Sequence, residues 1–300
     1  MTRAGGTALP ALLLALLLLP ACGQTPDQQP DGPATGAGGE VIQVVDAMGD
    51  TVRLDGPPSR VVSLVPSATL TLDALGVRSR LVGRTDYDTL AWARTLPSVG
   101  GGLEPNLEDL VALTPDLVIR FGGDQDPVTP RRLDELGIPH AAVRPDAVAD
   151  VFRSIRVVGA LVGEEVRADS LARHLEARLD SLRRARRGGP SPRVAYLLGG
   201  EPPWVAGPGT YIHELVELVG GTNVFADLDD LYASVSLEEF LVREIDVVVT
   251  HGAEELRGRL PGDLPIREVG GALELPGPWV VEAAHELDQA VHGGPPGARR

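Results

Sequence analysis

The amino-acid sequence predicts an α/β protein of two lobes joined by a long helix, with a ligand cleft between the lobes. Three observations point there. Short β-rich runs alternate with helical runs along most of the chain, a pattern that implies mainly parallel sheets. A helix-then-strand unit occurs twice, as NLEDLVALTPDLVI over 106–119 and SLEEFLVREIDVVV over 236–249, and an offset of 130 residues lays Leu237 on Leu107, Glu238 on Glu108, Asp246 on Asp116 and Val248 on Val118. Between the two copies, residues 167–187 place Leu171, Leu175, Leu179 and Leu182 on one helical face, a strut about 30 Å long at standard rise.

Composition sets the outer limits. Three hundred residues with 43% hydrophobic content can bury a substantial core. The formal charge is −15, and no basic stripe is available to displace counterions from phosphate, so nucleic acid is excluded as a partner. The one basic cluster, Arg183, Arg184, Arg186 and Arg187, closes the long helix and complements its dipole.

At the N-terminus, Arg3 precedes LPALLLALLLLP, a run of 12 residues where a spanning helix needs about 20. It reads as the apolar region of a signal peptide, and LLPAC resembles the bacterial lipobox, with Leu19, Ala21 and the chain's single cysteine, Cys22, at the cut. Acylated Cys22 would hold the protein at a membrane surface with its fold in the extracytoplasmic solvent. The following GQTPDQQPDGPATGAGG lacks apolar periodicity and reads as a disordered tether with a reach of about 20–25 Å.

The folded elements follow in order. VIQVVDAMGDTVRL reads as a hairpin, RVVSLV (60–65) as a buried strand, PSATLTLDALG as a helix stopped by Gly76, and RLVGRT as a second strand. Then come a helix over 106–113, a Thr114-Pro115 break, a strand over 117–121, a helix near 129–136 and a strand near 140–143. Residues 147–162 place Val148, Val151, Phe152, Ile155, Val158 and Leu161 on one face. After the long helix the pattern restarts with RVAYLL (193–198), a helix over 211–219, the second repeat unit with a strand over 245–250, a strand near 266–269 and a helix from Pro278 to about His292. The expected organisation is a leader over 1–21, a tether over 22–39, lobes over 40–165 and 189–292, a backbone helix over 166–188, and a disordered tail over 293–300.

Both repeated glutamates fall in a first helical turn. Asn106 is the expected N-cap before Glu108, and Ser236 with Glu239 makes a capping box that leaves Glu238 outside it. A first-turn carboxylate gains about 0.3–1 kcal/mol from the helix dipole, which is the plain reading of each alone. As a pair, one per lobe, they suit two basic groups on a symmetric partner.

The motifs RVVSLVPSATLTLDALG, LVGRTDYD, LPSVGG, PNLEDLVALTPDLVI, GTYIHELVELVGGTNVF and VSLEE together resemble the helical-backbone class of periplasmic binding proteins, which serve ABC importers of cobalamin, haem and iron-siderophores. The resemblance covers roughly residues 41–290. It implies two Rossmann-like lobes on a rigid helix, small closure on binding and no chemical turnover. It further implies that Glu108 and Glu238 dock on arginines of a permease dimer driven by ATPase subunits, with this chain acting as a monomer.

Similarity to the cobalamin-binding members extends into the cleft, where it implies a cage of rings at Tyr87, Phe121, Trp204 and Tyr232, positions at which open α/β sheets bind ligands. By the repeat offset Phe121 pairs with His251, which could ligate a cobalt or iron centre or donate a hydrogen bond; a loop histidine satisfied by the protein is its plainer reading. Three positions depart from the relatives: Gly102 and Ala272 stand where rings are expected, and Leu70 where many have glutamate. Cobalamin or a related corrinoid is the expected ligand, with haem or a ferric siderophore as the alternative, and a ligand-sensing lipoprotein as another role.

Other classes find little support. The six histidines show no metal-site spacing, and HELVE at His213 is a near miss to HExxH on an amphipathic helix. GPGTYI lacks the third glycine of a dinucleotide loop, there is no Walker A loop or G-x-S-x-G elbow, and Cys22 is taken by the lipobox. No resident cofactor and no catalysis are expected.

Overall fold

The computed structural model describes residues 41–253, 260 and 264–293. The leader, Cys22, the tether, and the tail beyond Gly293 lie outside them. Strands β1 (Ile42–Val45) and β2 (Thr51–Leu54) form the expected hairpin. Its turn is held by buried Asp46: one carboxylate oxygen accepts from Met48 N (2.8 Å) and Asp50 N (3.0 Å), and the other accepts from Ala142 N (2.8 Å). A single carboxylate therefore both closes the turn and staples the hairpin to the first lobe.

The first lobe carries β3 (Val61–Ser63), α1 (Pro66–Ala74), β4 (Leu81–Gly83), α2 (Leu107–Ala112), β5 (Leu117–Phe121), α3 (Thr129–Glu135) and β6 (His140–Val143). Its four strands are all parallel, in the order β4-β3-β5-β6. Helix α4 (Val148–Leu161) buries all six of the apolar residues expected on its inner face. The long helix α5 (Glu165–Arg186) buries Ala168, Ala172, Leu175 and Leu179, with Leu171 and Leu182 half-buried beside them. Its small residues matter for packing, since a Cβ on Gly159 of α4 would lie 2.1 Å from that of Ala168.

The second lobe contains β7 (Arg193–Gly199), β8 (Trp204–Ala206), α6 (Tyr211–Leu218), β9 (Thr222–Asn223), β10 (Tyr232–Ser234), α7 (Leu237–Val242), β11 (Val247–Thr250), β12 (Ile266–Glu268) and α8 (Val280–His292). The sheet runs β10-β8-β7-β11-β12, with β9 also on β7. Here β8 is antiparallel to β7 and to β10, so the second lobe is mixed where the first is parallel.

The largest apolar cluster is continuous from Val61 and Ile119, through Ile155 on α4 and Leu175 on α5, to Tyr196, Leu215 and Leu287. Two smaller clusters fill the outer layers of the lobes, around Leu110 and Val118 in one and Phe240 and Val248 in the other. Polar links cross the same seam. Val148 N donates to a Glu214 carboxylate oxygen (2.8 Å), Tyr211 N donates to the Asp146 carbonyl, and Arg186 forks onto Asp288 at 2.5 and 2.6 Å. A shared core of this kind resists wide hinge opening, because separating the lobes would expose packed apolar surface.

Candidate functional site

In both lobes the parallel strands end at the edge where the N-termini of α2 and α7 lie, because each helix runs back along its lobe into the strand that follows. On the second lobe this edge forms a cavity of about 440 Å³ walled by Leu198, Trp204, Tyr211, Tyr232, Leu273 and Glu274, among others. The β8–β10 register sets its two rings. Trp204 pairs with Ser234 and Tyr232 with Ala206, so the rings are diagonal neighbours on one face. They are 48% and 40% exposed, unusual for side chains of this size. Gly200, at φ +90°, lets the Trp204 ring lie against the backbone; a Cβ there would come within 2.9 Å of Trp204 Cδ1.

Beneath these rings lie two buried tyrosines. Tyr211 opens α6 and Tyr196 lies on β7; each is 1% exposed, and neither hydroxyl has a hydrogen-bond partner among the described residues. Burial pushes both hydroxyls up from the usual phenol value, with Glu274 adding to the effect on Tyr196. Tyr232 moves the same way through burial and the charge of Asp146. All three rings therefore stay protonated at neutral pH. Glu274 itself is exposed and is the one charged residue among the described residues of the cavity wall.

The other expected ring positions lie elsewhere. Tyr87 is 69% exposed on a turn fixed by Asp88, whose carboxylate accepts from Thr85 N (2.8 Å) and Thr85 Oγ1 (2.9 Å). Phe121, at the end of β5, is half-buried, and its ring lies 3.4 Å from where a Cβ of Gly102 would stand. That Cβ would also meet the Leu64 carbonyl oxygen at 2.4 Å, so this backbone admits no side chain at residue 102. His251, at the end of β11, is exposed; its Nδ1 lies 3.2 Å from the Val269 carbonyl oxygen. A carbonyl only accepts, so Nδ1 is the donor in that contact. None of these three residues lines the 440 Å³ cavity, which gathers Trp204 and Tyr232 but not the whole expected cage.

Tyr211 and Glu274 are the polar wall residues outside the set expected from sequence. Tyr211 was visible only as the start of a helix after GPGT, and Glu274 lies two residues beyond Ala272, where a ring was expected. Among the described residues no group of three or more metal-ligating side chains converges.

Glu108 and Glu238 are exposed and in no ion pair among the described residues, each the second residue of its helix. The N-caps are as expected: Asn106 accepts from Glu108 N (3.0 Å) and Asp109 N (3.3 Å), and Ser236 accepts from Glu239 N (3.0 Å). The capping box is only half made, because the Glu239 carboxylate turns to Arg243 Nη2 (3.3 Å) instead of the Ser236 amide.

The shared aspartates explain why the repeat is conserved within the chain. Asp116 accepts from Ser59 N and Arg60 N, both at 2.8 Å, and Asp246 accepts from Arg193 N (2.8 Å) and from the Arg193 guanidinium. Each locks the start of its strand to the preceding central strand. For Asp116, burial raises the carboxyl's pKa but the donated N–H bonds outweigh it, leaving a net lowering; for Asp246 the Arg193 bonds lower it.

Residues 61–261 match the periplasmic binding protein family. The chain belongs to that family. It is 34% identical over 213 residues to a cobalamin-binding protein of Halobacterium salinarum, an alignment covering 68% of this chain and 57% of that relative. The chain thus spans little more than half the length of that relative. Among solved structures, the haem-binding protein RhuT of Roseiflexus has a TM-score of 0.70 at 28% identity, covering 78% of this chain and 98% of that one. The vitamin B12-binding protein BtuF of Vibrio cholerae also has a TM-score of 0.70, at 24% identity, covering 78% and 97%. Family membership and these likenesses fix the two-lobed α/β fold.

Proposed function

We propose that this protein is the extracytoplasmic, lipid-anchored binding subunit of an ABC importer, that it carries cobalamin or a related corrinoid, and that it catalyses no reaction. The observation that carries the ligand assignment is the pair of exposed rings, Trp204 and Tyr232, on one face of β8–β10 over a 440 Å³ cavity. Such rings give a flat macrocycle a stiff apolar seat at low entropy cost. The relative in Halobacterium, described as cobalamin-binding, supports the same assignment. Tyr87 and Phe121 supply the facing wall when the lobes close, and Glu108 and Glu238 engage the permease. Cys22 carries the lipid.

A second reading, a haem or ferric-siderophore carrier, is favoured by one observation: His251 is exposed just after β11 with Nδ1 turned to the Val269 carbonyl, which leaves Nε2 as the ring nitrogen that could meet a metal centre. Calorimetric titration of the purified protein with cyanocobalamin, haemin and a ferric hydroxamate siderophore separates the two. Tight binding of cyanocobalamin alone is expected. Tight binding of haemin or the siderophore, with none of cyanocobalamin, would replace the first reading by the second.

A further inference from the structure

A second cavity, of about 160 Å³, lies on the first lobe between the turn of the β1–β2 hairpin and α4, and shares no lining residue with the 440 Å³ cavity. At about 30 Å³ per water it has room for about five waters, or for one small solute. Its wall carries four charged side chains: Arg144 and Asp146 on the segment between β6 and α4, and Asp150 and Arg153 on α4. Each pair is closed by a single bond. Arg144 Nε donates to Asp146 (2.5 Å), and Arg153 Nη1 donates to Asp150 (2.7 Å). Among the described residues, both Nη atoms of Arg144, Nε and Nη2 of Arg153, the second carboxylate oxygen of Asp146 and the Ser154 hydroxyl on the same wall make no hydrogen bond. The two arginines are exposed and the aspartates and Ser154 half-buried, so a solute can reach all five. Exposed ion pairs contribute little to stability, so holding the fold together does not account for four charges around one cavity.

We propose that this cavity binds a compact zwitterion, an ammonium joined by a short linker to a phosphate. The free guanidinium N–H groups of Arg144 and Arg153 donate to the phosphate oxygens, and the Asp146 and Asp150 carboxylates accept from the ammonium. Ser154 adds a hydroxyl that can donate or accept. A simple anion would meet both aspartates and a simple cation both arginines, so either loses to repulsion what it gains in attraction. A solute carrying both charges gains from both pairs. Its source is either a free solute of the extracytoplasmic solvent or the headgroup of a zwitterionic phospholipid, since an acylated chain works beside a bilayer. The assignment does not depend on the corrinoid reading.

The test titrates the full-length protein, in a non-ionic detergent, with O-phosphoethanolamine, with its two halves, inorganic phosphate and ethanolamine, and with a short-chain phosphatidylethanolamine soluble as a monomer. At least one of the two zwitterions should bind roughly tenfold more tightly than either half. Arg153→Gln, at an exposed position of α4, should fold normally and abolish that advantage, whereas Trp204→Ala in the other cavity should leave it unchanged. Tighter binding of the lipid than of O-phosphoethanolamine assigns the site to a headgroup; equal or weaker binding assigns it to a free solute. If neither zwitterion binds at about 10 mM, if inorganic phosphate binds as well as they do, or if Arg153→Gln changes nothing, the site is refuted. Cyanocobalamin affinity, read separately, stands or falls apart from every one of these outcomes.

Discussion

The two copies of the repeat unit are the same in their frame and opposite in their furniture. Each has a capped helix with an exposed glutamate at its second position, and an aspartate locking the next strand onto the lobe's central strand. Carried further, the 130-residue offset lays Gly102 on Tyr232 and Phe121 on His251. In the first lobe the strand-end ring of Phe121 lies against Gly102. In the second lobe the ring stands before the helix, as Tyr232, and the strand end carries an exposed imidazole. What the copies share is architecture and an exposed first-turn glutamate; where they differ is in the side chains carried before the helix and at the strand end.

If the shared glutamates are the partner's footholds, Glu108→Ala with Glu238→Ala should reduce corrinoid uptake by whole cells to background, the largest effect expected of any change here. Each single variant should be intermediate. Undiminished uptake in the double variant would remove both residues from docking.

The exchanged positions should respond in opposite ways. Gly102→Trp should destabilise the fold by about 3 kcal/mol, because its Cβ would overlap the Leu64 carbonyl. Tyr232→Ala, at the matching place in the other lobe, should cost under about 1 kcal/mol of stability while weakening ligand binding. Urea unfolding and titration of both variants measure this, and equal destabilisation would contradict the exchange.

The two aspartate locks should differ in degree. Asp116 accepts two backbone N–H groups and the Ser59 hydroxyl, so Asp116→Ala should cost about 2 kcal/mol. Asp246 leans on an arginine pair whose carboxylate side chain is 43% exposed, so Asp246→Ala should cost about 1 kcal/mol. Both carboxyls are held below their ordinary value of 3.8 in the folded protein. Their contribution is therefore complete above that value and is lost as pH falls through the depressed folded values. Urea midpoints followed from about pH 6 to about pH 2 should show that acid loss blunted in Asp116→Ala, and less so in Asp246→Ala.

Much of the frame was legible in the sequence because it rests on local chemistry. Periodicity placed β5 and β6 to the residue, and all six inward side chains of α4 are buried. The strands β8, β9 and β10 were not anticipated: at three, two and three residues they are too short to show alternation, and their pairing depends on distant partners. The same holds for the site. Trp204 and Tyr232 stood out as rare rings, whereas Tyr211 and Glu274 join them only through the tertiary fold. The half-made capping box shows a local signal overruled, since Glu239 reaches Arg243 four residues on.

One calorimetric comparison with cyanocobalamin decides whether the rings of the second lobe hold the ligand while the glutamates of both lobes hold the partner. Trp204→Ala with Tyr232→Ala should weaken binding roughly a hundredfold, and Glu108→Ala with Glu238→Ala should leave the affinity unchanged. Equal affinities in the two double variants, or a loss confined to the glutamate pair, would contradict that arrangement.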